Sequence, residues 1–385
     1  MSQYAKFAYF TSWSIYSINY KPNQIPVENL THILYAFANI VNGEIALGDA
    51  WADVQISYGA KNTFNGVAGA FGYLNSRTGD LRTRNPNIKT LISIGGWTWS
   101  SAFSSLASTA SGRQKFAKSI AAFLPKYGFD GVDIDWEYPV SGGAPGTPTS
   151  PQDGVNYVLL LQEIRNQLNA IAPNRYLLTV ATSAAPNIAK NVNMRSVSDV
   201  VNYINLMSYD FAGAWMNRTS YDSNLYFDYQ RSSGHSIDNA VCYYQSVGVP
   251  LSKIVLGTPF CGKVFKQVGA GTLPQVPGFN APYNGVPAVG ELPGMIEAGI
   301  INQVGVKQLT GANNPGGYVI MFDNNAKSAS AFSISNKIFL TFENPSSIVA
   351  KCEYIKSKRL GGIMAWELSQ DPTNTLTGIF KQQLG

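Results

Sequence analysis

The chain has 385 residues, of which 45% are hydrophobic and only 13% are charged, and its net charge is +5. A charged fraction far below the roughly 25% of average globular proteins, with no long basic run, argues against a nucleic-acid partner. Two histidines argue against a zinc site, and three cysteines in no metal-binding spacing require neither a metal nor a disulfide framework.

Eight short β-prone runs follow one another along the chain, with helical or loop segments between them. They span residues 6–13, 32–40, 89–96, 131–137, 176–183, 203–210, 253–260 and 361–368. Helical periodicity between the strands is clearest in 112–127 and 155–171, where apolar side chains recur on one face. Alternating strands and helices predict an α/β fold with a parallel sheet, and eight strands predict closure into a (β/α)8 TIM barrel.

Two connections are too long for simple crossovers between strands. Residues 41–88, rich in Gly and Asn, are expected to elaborate the loop after strand two. Between strands seven and eight, residues 262–342 form a stretch of about eighty residues whose second half alternates as β-structure does. We therefore predict a barrel formed by residues 1–261 and 342–385, with a small α+β insertion domain at 262–341.

The fourth predicted strand carries an acidic residue at every second position, namely Asp133, Asp135 and Glu137. Side chains alternate between the two faces of a strand, so the three acids project to one side and the intervening apolar residues to the other. Because apolar residues suit the layer beneath the helices, the acids are expected to face into the barrel. Glu137 is then the acid nearest the C-terminal mouth, where barrel enzymes place their chemistry.

Three carboxyl groups in a confined interior cannot all ionise, since their mutual repulsion and their desolvation raise their pKa values. At least one proton is then shared, and a carboxylic acid stays protonated near neutral pH, as a general acid requires. A solvent-facing acidic edge strand and a Mg²⁺ or Ca²⁺ site are alternatives. The flanking apolar residues favour catalysis over both, and we expect no metal and no cofactor.

Four short motifs lie in order on the predicted strands. The segment from Asp130 to Glu137 resembles the Asp-x-x-Asp-x-Asp-x-Glu signature of glycoside hydrolase family 18, the chitinase family. Residues 93–96 resemble its strand-three Ser-x-Gly-Gly, residues 207–210 its strand-six Met-x-Tyr-Asp, and Trp366 its strand-eight tryptophan. The predicted insertion also resembles the α+β domain of chitinases with a deep groove.

The resemblance implies retaining, substrate-assisted hydrolysis of chitin or related N-acetylglucosamine polymers, in which the acetamido oxygen attacks its own anomeric carbon. Glu137 would serve first as general acid and then as general base. Asp135 would orient the acetamido N–H, and Asp133 would share a proton with Asp135. Tyr209 would hold the acetamido oxygen, and Asp210 would bind the distorted sugar.

Six of the seven tryptophans lie at or just beyond the C-terminal end of a predicted strand, where indole rings can stack on sugars. By resemblance, Trp366 forms the floor of the cleavage subsite, and Trp97 and Trp13 serve flanking subsites. The other expected substrate-binding residues are Tyr9, Phe37, Met207, Tyr138 and Lys263. Trp136 is expected to face outward, so it is not assigned to the site.

One motif departs from the family pattern. After strand seven the family often reads Tyr-Gly-Arg, whereas this chain reads Cys261-Gly262-Lys263. A tyrosine hydroxyl is lost, and a planar guanidinium is replaced by a point charge. We expect changed affinity and subsite preference, with the chemistry retained.

Two other functions are compatible with the same fold. A sugar-binding lectin of this type typically lacks the terminal acid, which is present here as Glu137. An endo-β-N-acetylglucosaminidase acting on N-glycans is the enzymatic alternative, but the insertion and the tryptophans favour a long polymer groove. We expect a monomer that binds chitin or a chitooligosaccharide, with no nucleic-acid or membrane partner. The resemblance predicts secretion, although the sequence shows no signal peptide and no apolar segment near the roughly 18 residues of a membrane span.

Overall fold

A computed structural model describes residues 4–227, 234–269, 271, 273 and 275–385. The strands in this part of the chain are β1 (Ala5–Thr11), β2 (His32–Val41), β3 (Glu44–Ala46), β4 (Lys89–Gly95), β5 (Gly131–Asp135), β6 (Leu177–Ser183), β7 (Tyr203–Met207), β8 (Ile254–Pro259), β9 (Gly262–Phe265), β10 (Met295–Glu297), β11 (Ile300–Ile301), β12 (Tyr318–Asp323), β13 (Ser328–Ser333), β14 (Ile338–Phe342) and β15 (Gly362–Trp366).

The α-helices in the described residues are α1 (Gly69–Asn75), α2 (Asp80–Arg84), α3 (Phe103–Ala107), α4 (Ala110–Tyr127), α5 (Asp153–Ile171), α6 (Pro186–Ala189), α7 (Met194–Val200), α8 (Ile237–Ser246), α9 (Gln303–Thr310), α10 (Pro345–Lys358) and α11 (Thr375–Leu384). Short 3₁₀ turns span Ser12–Ile15, Pro22–Gln24, Val27–Asn29, Leu251–Lys253 and Leu368–Gln370, and a π-helical turn spans Trp51–Gln55. Within the same part of the chain, every helix is too short or too polar to span a membrane.

Eight parallel strands close into a barrel, which confirms the predicted (β/α)8 fold. Their order around the barrel is β1, β2, β4, β5, β6, β7, β8 and β15. Closure is complete because β1 pairs with both β2 and β15 in parallel register.

Helix α4 shows how the local sequence sets the ends of an element. The Thr109 hydroxyl accepts the Gly112 N–H at the start of the helix, and Gly128, with φ of 80°, ends it.

The largest hydrophobic core lies between the barrel strands and the surrounding helices. Val132, Ile134 and Trp136 contribute the outward face of the acidic strand to this core, and the Trp136 ring stacks on Phe103. A second, smaller cluster fills the barrel interior, with Tyr9 and other residues of the inward face. The apolar side chains of the acidic strand thus face the helices, whereas Asp133 and Asp135 face the barrel interior, as the alternation along the strand predicts.

Four predicted strands end two or three residues earlier than expected at their C-terminal ends. Strand β1 ends at Thr11, β5 at Asp135, β7 at Met207 and β15 at Trp366. Glu137 and Asp210 therefore lie beyond the last paired residues rather than on strands. The cause is that the inter-strand ladder stops where the barrel opens, while the local sequence stays apolar and strand-like.

The segment between β8 and β15 forms a six-stranded antiparallel sheet in the order β10-β11-β9-β14-β13-β12. One of its hydrophobic clusters includes Ala212 and Tyr221, which belong to the loop after β7. The Tyr221 hydroxyl also donates to Asp323 at 3.1 Å, and the Thr219 hydroxyl donates to the Gly278 carbonyl at 2.6 Å. The loop after β7 is thus packed into the second sheet, and the division of the chain into two domains stays a prediction.

Candidate active site

A cavity of about 450 Å³ opens at the C-terminal mouth of the barrel. The sequence-predicted site residues that line it are Tyr9, Trp13, Phe37, Trp97, Asp135, Glu137, Tyr138, Met207, Tyr209, Asp210, Lys263 and Trp366. Asp133 is the exception, because it lies deeper in the barrel and is fully buried. Asp130, the first residue of the acidic motif, is paired with Arg82 and immediately precedes the N-terminal residue of β5, so it lies at the opposite end of the barrel.

Other lining residues were not predicted as part of the site. They are Thr98, Pro259, Cys261, Ile296, Glu297, Ile300, Glu367 and Gln370. The hairpin β10–β11 brings Ile296, Glu297 and Ile300 to the cavity from the second sheet, and no local motif marks them. Glu367 was detectable in principle, since it directly follows Trp366 at the end of the eighth barrel strand.

Asp133 is held by four hydrogen-bond donors inside the barrel. Its carboxylate accepts from Tyr9 Oη at 2.9 Å, Ser93 Oγ at 2.8 Å, Thr179 Oγ1 at 2.5 Å and Asn205 Nδ2 at 3.2 Å. Burial raises the pKa of Asp133, and the donors partly oppose that rise. This set of donors fixes Asp133 as a rigid acceptor beneath the cavity.

Asp135 is the least satisfied of the three acids. Its Oδ1 atom is buried and has no hydrogen-bond partner among the described residues. Burial raises the pKa of Asp135 well above its ordinary value, and the negative charges of Glu137 and Asp133 raise it further. The protonated form is therefore favoured, and Oδ1 is available to a ligand in the cavity.

The Glu137 carboxyl lies at the cavity surface and is 9% exposed. Its backbone N–H donates to Ser100 Oγ at 2.9 Å, which fixes the chain just after β5. Burial raises the pKa of Glu137 to about 7, the charge of Asp210 adds to the rise, and a hydrogen bond with Tyr138 opposes it. A carboxyl group with this pKa can both donate and accept a proton near neutral pH.

Both glycines of the Ser-x-Gly-Gly motif stand where a side chain would clash with its neighbours. Gly95 has φ of 107°, and a Cβ atom there would lie 2.3 Å from the Asp135 carbonyl oxygen. Gly96 has φ of 79°, and its Cβ would lie 2.7 Å from the Phe37 ring. Only glycine permits this approach, which brings the end of β4 against both the acidic strand and the aromatic wall.

Aromatic rings form a continuous surface in the cavity. The Trp366 ring centroid lies 5.1 Å from that of Tyr9 and 5.8 Å from that of Phe37, and Trp13 lies 6.4 Å from Trp366. Trp13 is 44% exposed and Trp97 is 50% exposed. Exposed indole faces beside the partly buried Trp366 suit stacking on several sugar rings in a row.

An ion pair forms another part of the cavity wall. Asp210, in the left-handed conformation at φ 58°, places Oδ1 at 2.6 Å from Lys263 Nζ. The Asp210 side chain is 54% exposed, whereas that of Lys263 is 8% exposed. Burial alone would lower the pKa of Lys263, but the negative charges of Asp210 and Asp222 outweigh burial, so the pKa is raised. Lys263 is therefore a cation at neutral pH.

No group of three or more His, Cys, Asp or Glu side chains within residues 4–227, 234–269, 271, 273 and 275–385 is arranged to hold a metal ion. Asp133 instead accepts hydrogen bonds from hydroxyl and amide donors, and the charges of Asp133 and Glu137 act on Asp135. The arrangement can transfer a proton at Glu137, accept an N–H at Asp135 and stack sugar rings on Trp366.

The sequence model of the glycosyl hydrolases family 18 matches residues 6–371. The chain belongs to glycosyl hydrolase family 18. Among curated relatives of this family 18 protein, Chitinase 1 of Aphanocladium album is 37% identical, covering 96% of this chain and 82% of its own length. Chitinase A1 of Niallia circulans is 36% identical and covers 98% of this chain, which spans 58% of that relative.

Solved structures agree with the family assignment. Chitinase ChiA74 from Bacillus thuringiensis superposes with a TM-score of 0.87 at 30% identity, covering 100% of this chain and 70% of its own. A family 18 N-acetylglucosaminidase from Paenibacillus barengoltzii gives a TM-score of 0.79 at 27% identity. The match covers 99% of this chain and 100% of the Paenibacillus chain. The predicted fold and family resemblance are thus confirmed, whereas the roles of single residues, the monomeric state and secretion stay predictions.

Proposed function

We propose that this family 18 hydrolase is a chitinase that cleaves β-1,4 linkages between N-acetylglucosamine units. The observation that carries the proposal is the pair Asp135 and Glu137 at the bottom of an aromatic cavity. One of them has an unpartnered oxygen atom, and the other has a pKa near 7. A sugar with a 2-acetamido group supplies the N–H donor and the internal nucleophile that this pair lacks.

In the proposed reaction, the sugar in the cleaved position lies on Trp366. Tyr209 Oη lies 4.0 Å from the Met364 sulfur, a weak contact, and is available to donate to the acetamido oxygen. Asp135 accepts the acetamido N–H, so the oxygen is held for attack on the anomeric carbon. An internal nucleophile held in this way gains rate from its high effective concentration.

Glu137 protonates the leaving oxygen as the anomeric bond to the acetamido oxygen forms. The resulting oxazolinium ion is cationic, and the negative charge shared by Asp133 and Asp135 stabilises it. Glu137, now ionised, then takes a proton from water, and the water opens the ring from the same face as the departed group. The product keeps the β-configuration.

A second candidate function is hydrolysis by an N-acetylglucosaminidase, which the Paenibacillus barengoltzii structure brings into consideration. Trp13 and Trp97 both line the cavity and are about half exposed, so aromatic surface extends beyond one sugar. This extent favours a polymer over a single terminal residue. The N-glycan activity that the sequence left open has no such feature in its favour.

The test compares three substrates with the purified protein: chitohexaose, a short aryl N-acetylglucosaminide and a high-mannose glycopeptide. We expect cleavage of chitohexaose to shorter oligomers, with the β-anomer in excess in the first NMR spectra and no effect of a chelator. Glu137→Gln is the matched control for contaminating activity. Preferred cleavage of the monosaccharide substrate or of the glycopeptide would replace the proposal, and an inverted product would refute its mechanism.

A further inference from the structure

Asp222 is a buried carboxyl group outside the cavity lining and is 2% exposed. Neither of its carboxyl oxygen atoms has a hydrogen-bond partner among the described residues. Its backbone is fixed on both sides: the N–H donates to Thr341 Oγ1 at 3.2 Å, and the carbonyl accepts the Phe211 N–H at 3.0 Å. A carboxyl held rigidly without a donor is unfavourable unless a cation lies close by.

The charges of two buried lysines, Lys263 and Lys351, act on Asp222, and the two lysines differ in their partners. Lys351 Nζ lies 2.5 Å from Glu343 Oε1 and also donates to Ser223 Oγ at 2.8 Å and Thr258 Oγ1 at 3.2 Å. Three partners complete the donor capacity of the Lys351 ammonium. The cation left for Asp222 is therefore Lys263.

Lys263 serves two carboxylates at once. Its Nζ atom contacts Asp210 at 2.6 Å, and its charge also interacts with that of Asp222. The other charged groups facing Asp222 are Glu343 and Lys351, which neutralise each other. The Cys261 thiol also lies in this region, and burial raises its pKa to about 12, so it stays neutral. The Lys263 ammonium thus pairs directly with Asp210, and its charge also attracts that of Asp222.

When substrate binds, a sugar hydroxyl and the Lys263 ammonium compete for the Asp210 carboxylate. Asp210 projects into the cavity, where the proposed function assigns it to the distorted sugar. Because Lys263 Nζ contacts Asp210 Oδ1, a sugar hydroxyl that takes over this oxygen displaces the Lys263 ammonium. Without another acceptor, that ammonium would become an unpaired buried charge, which is strongly unfavourable.

We propose that Asp222 is a positioning residue that accepts the Lys263 ammonium when a sugar hydroxyl takes its place on Asp210. The inference rests on the proposed function of the cavity. Lys263 has a flexible stem, so its ammonium can turn between two acceptors while the chain around it stays fixed. Asp210 then becomes free for substrate at little cost, because the cation remains paired in both arrangements.

The exchange is expected to depend on pH. Burial raises the pKa of Asp222 to about 7, and the charge of Lys263 opposes that rise. Below this pH Asp222 becomes protonated and neutral, so it attracts the ammonium less. Oligosaccharide binding should therefore weaken on the acidic side.

The main test is a double-mutant cycle on chitohexaose hydrolysis with Asp222→Asn, Lys263→Met and the double variant. We expect Asp222→Asn to raise KM about tenfold, the effect of losing one charge-assisted hydrogen bond, with kcat changed less than about twofold. In the Lys263→Met background the same change should leave KM unaltered, because no cation needs the second acceptor. Asp130→Asn, at the other end of the barrel, is the control: it should lower the melting temperature and leave KM unchanged.

A second measurement does not require any change at Asp222. The Kd of chitohexaose for Glu137→Gln protein, measured by calorimetry, should be several-fold weaker at about pH 5.5 than at about pH 8. A Kd independent of pH, or a KM increase that persists without Lys263, would overturn the exchange. So would an Asp222→Asn variant with lower stability and unchanged KM, the result of a purely structural role. Binding without hydrolysis in the unaltered protein would sink only the proposed function.

Discussion

The pH dependence of hydrolysis tests the assignment of Glu137 as the general acid. Burial raises its pKa from 4.5 to about 7, with a contribution from the charge of Asp210. The protonated form donates to the leaving oxygen, so kcat/KM should fall about tenfold per pH unit above about pH 7. The pH above which kcat/KM falls is called the alkaline limit. Because Glu137 interacts with Asp135, the alkaline limit reflects the titration of the pair rather than that of one group.

The size of the effect follows from the two pKa values. At pH 7 a carboxyl with a pKa of 4.5 is protonated in about one molecule in 300, whereas a pKa of about 7 gives about one in two. The cavity therefore increases the acid form of Glu137 by roughly two orders of magnitude.

Two substitutions should shift the pKa of Glu137 in opposite directions. Asp210→Asn removes a negative charge and should move the alkaline limit to lower pH, whereas Lys263→Met leaves Asp210 uncompensated and should move it to higher pH.

The assay is kcat/KM for a chromogenic chitooligosaccharide from about pH 5 to about pH 10, in low salt so that charge effects are not screened. The quantity to compare is the pH of the alkaline limit rather than the absolute value of kcat/KM, since both variants also lower the affinity for substrate. Shifts in the same direction would show that geometry, not charge, changed. An unaltered limit in both variants would place the titrating acid elsewhere.

Glu137→Gln should lower kcat by about 10²–10⁴-fold while calorimetry still detects oligomer binding, because only the transferable proton is lost. The same substitution should raise the melting temperature at about pH 8 and leave it unchanged at about pH 4.5. The reason is that the pKa of Glu137 is higher in the folded chain than in the unfolded chain, so ionisation of Glu137 destabilises the folded state as the pH rises between the two values. Asp135→Ala should weaken a thiazoline inhibitor more than a chitin oligomer in competition assays, since only the inhibitor mimics the cationic intermediate. Replacing residues 262–341 by a short linker should leave a barrel that melts cooperatively but at a lower temperature, because Ala212 and Tyr221 lose their partners in the second sheet, and that binds long oligomers more weakly.

Each of these outcomes has a clear opposite. Substantial turnover by Glu137→Gln would move the acid to another residue, and equal stabilisation at both pH values would show that its carboxyl is not perturbed. Equal losses for both ligands on Asp135→Ala would mean that the aspartate only shapes the pocket. A shortened chain that does not fold would refute the domain boundary.

The sequence predicted the barrel and most of the candidate site because both depend on short-range patterns. Alternation placed Asp133, Asp135 and Glu137 on one face, and motif order located residues at the strand ends. The C-terminal ends themselves were wrong for β1, β5, β7 and β15, since inter-strand pairing decides them. Asp222 and Glu297 could not be found in this way: their position beside or behind the cavity wall depends on distant strands, and nothing in their local sequence differs from an ordinary loop.

The packing of the loop after β7 into the second sheet bears on protein engineering. This loop begins with Tyr209 and Asp210 at the cavity and continues to Ala212 and Tyr221 in the cluster of the second sheet. A chimera that exchanges only residues 262–341 with a relative would pair a foreign sheet with a native Tyr221 and leave Asp222 facing a foreign wall. We therefore expect a chimera to keep this packing only if residues 208–227 are exchanged together with 262–341.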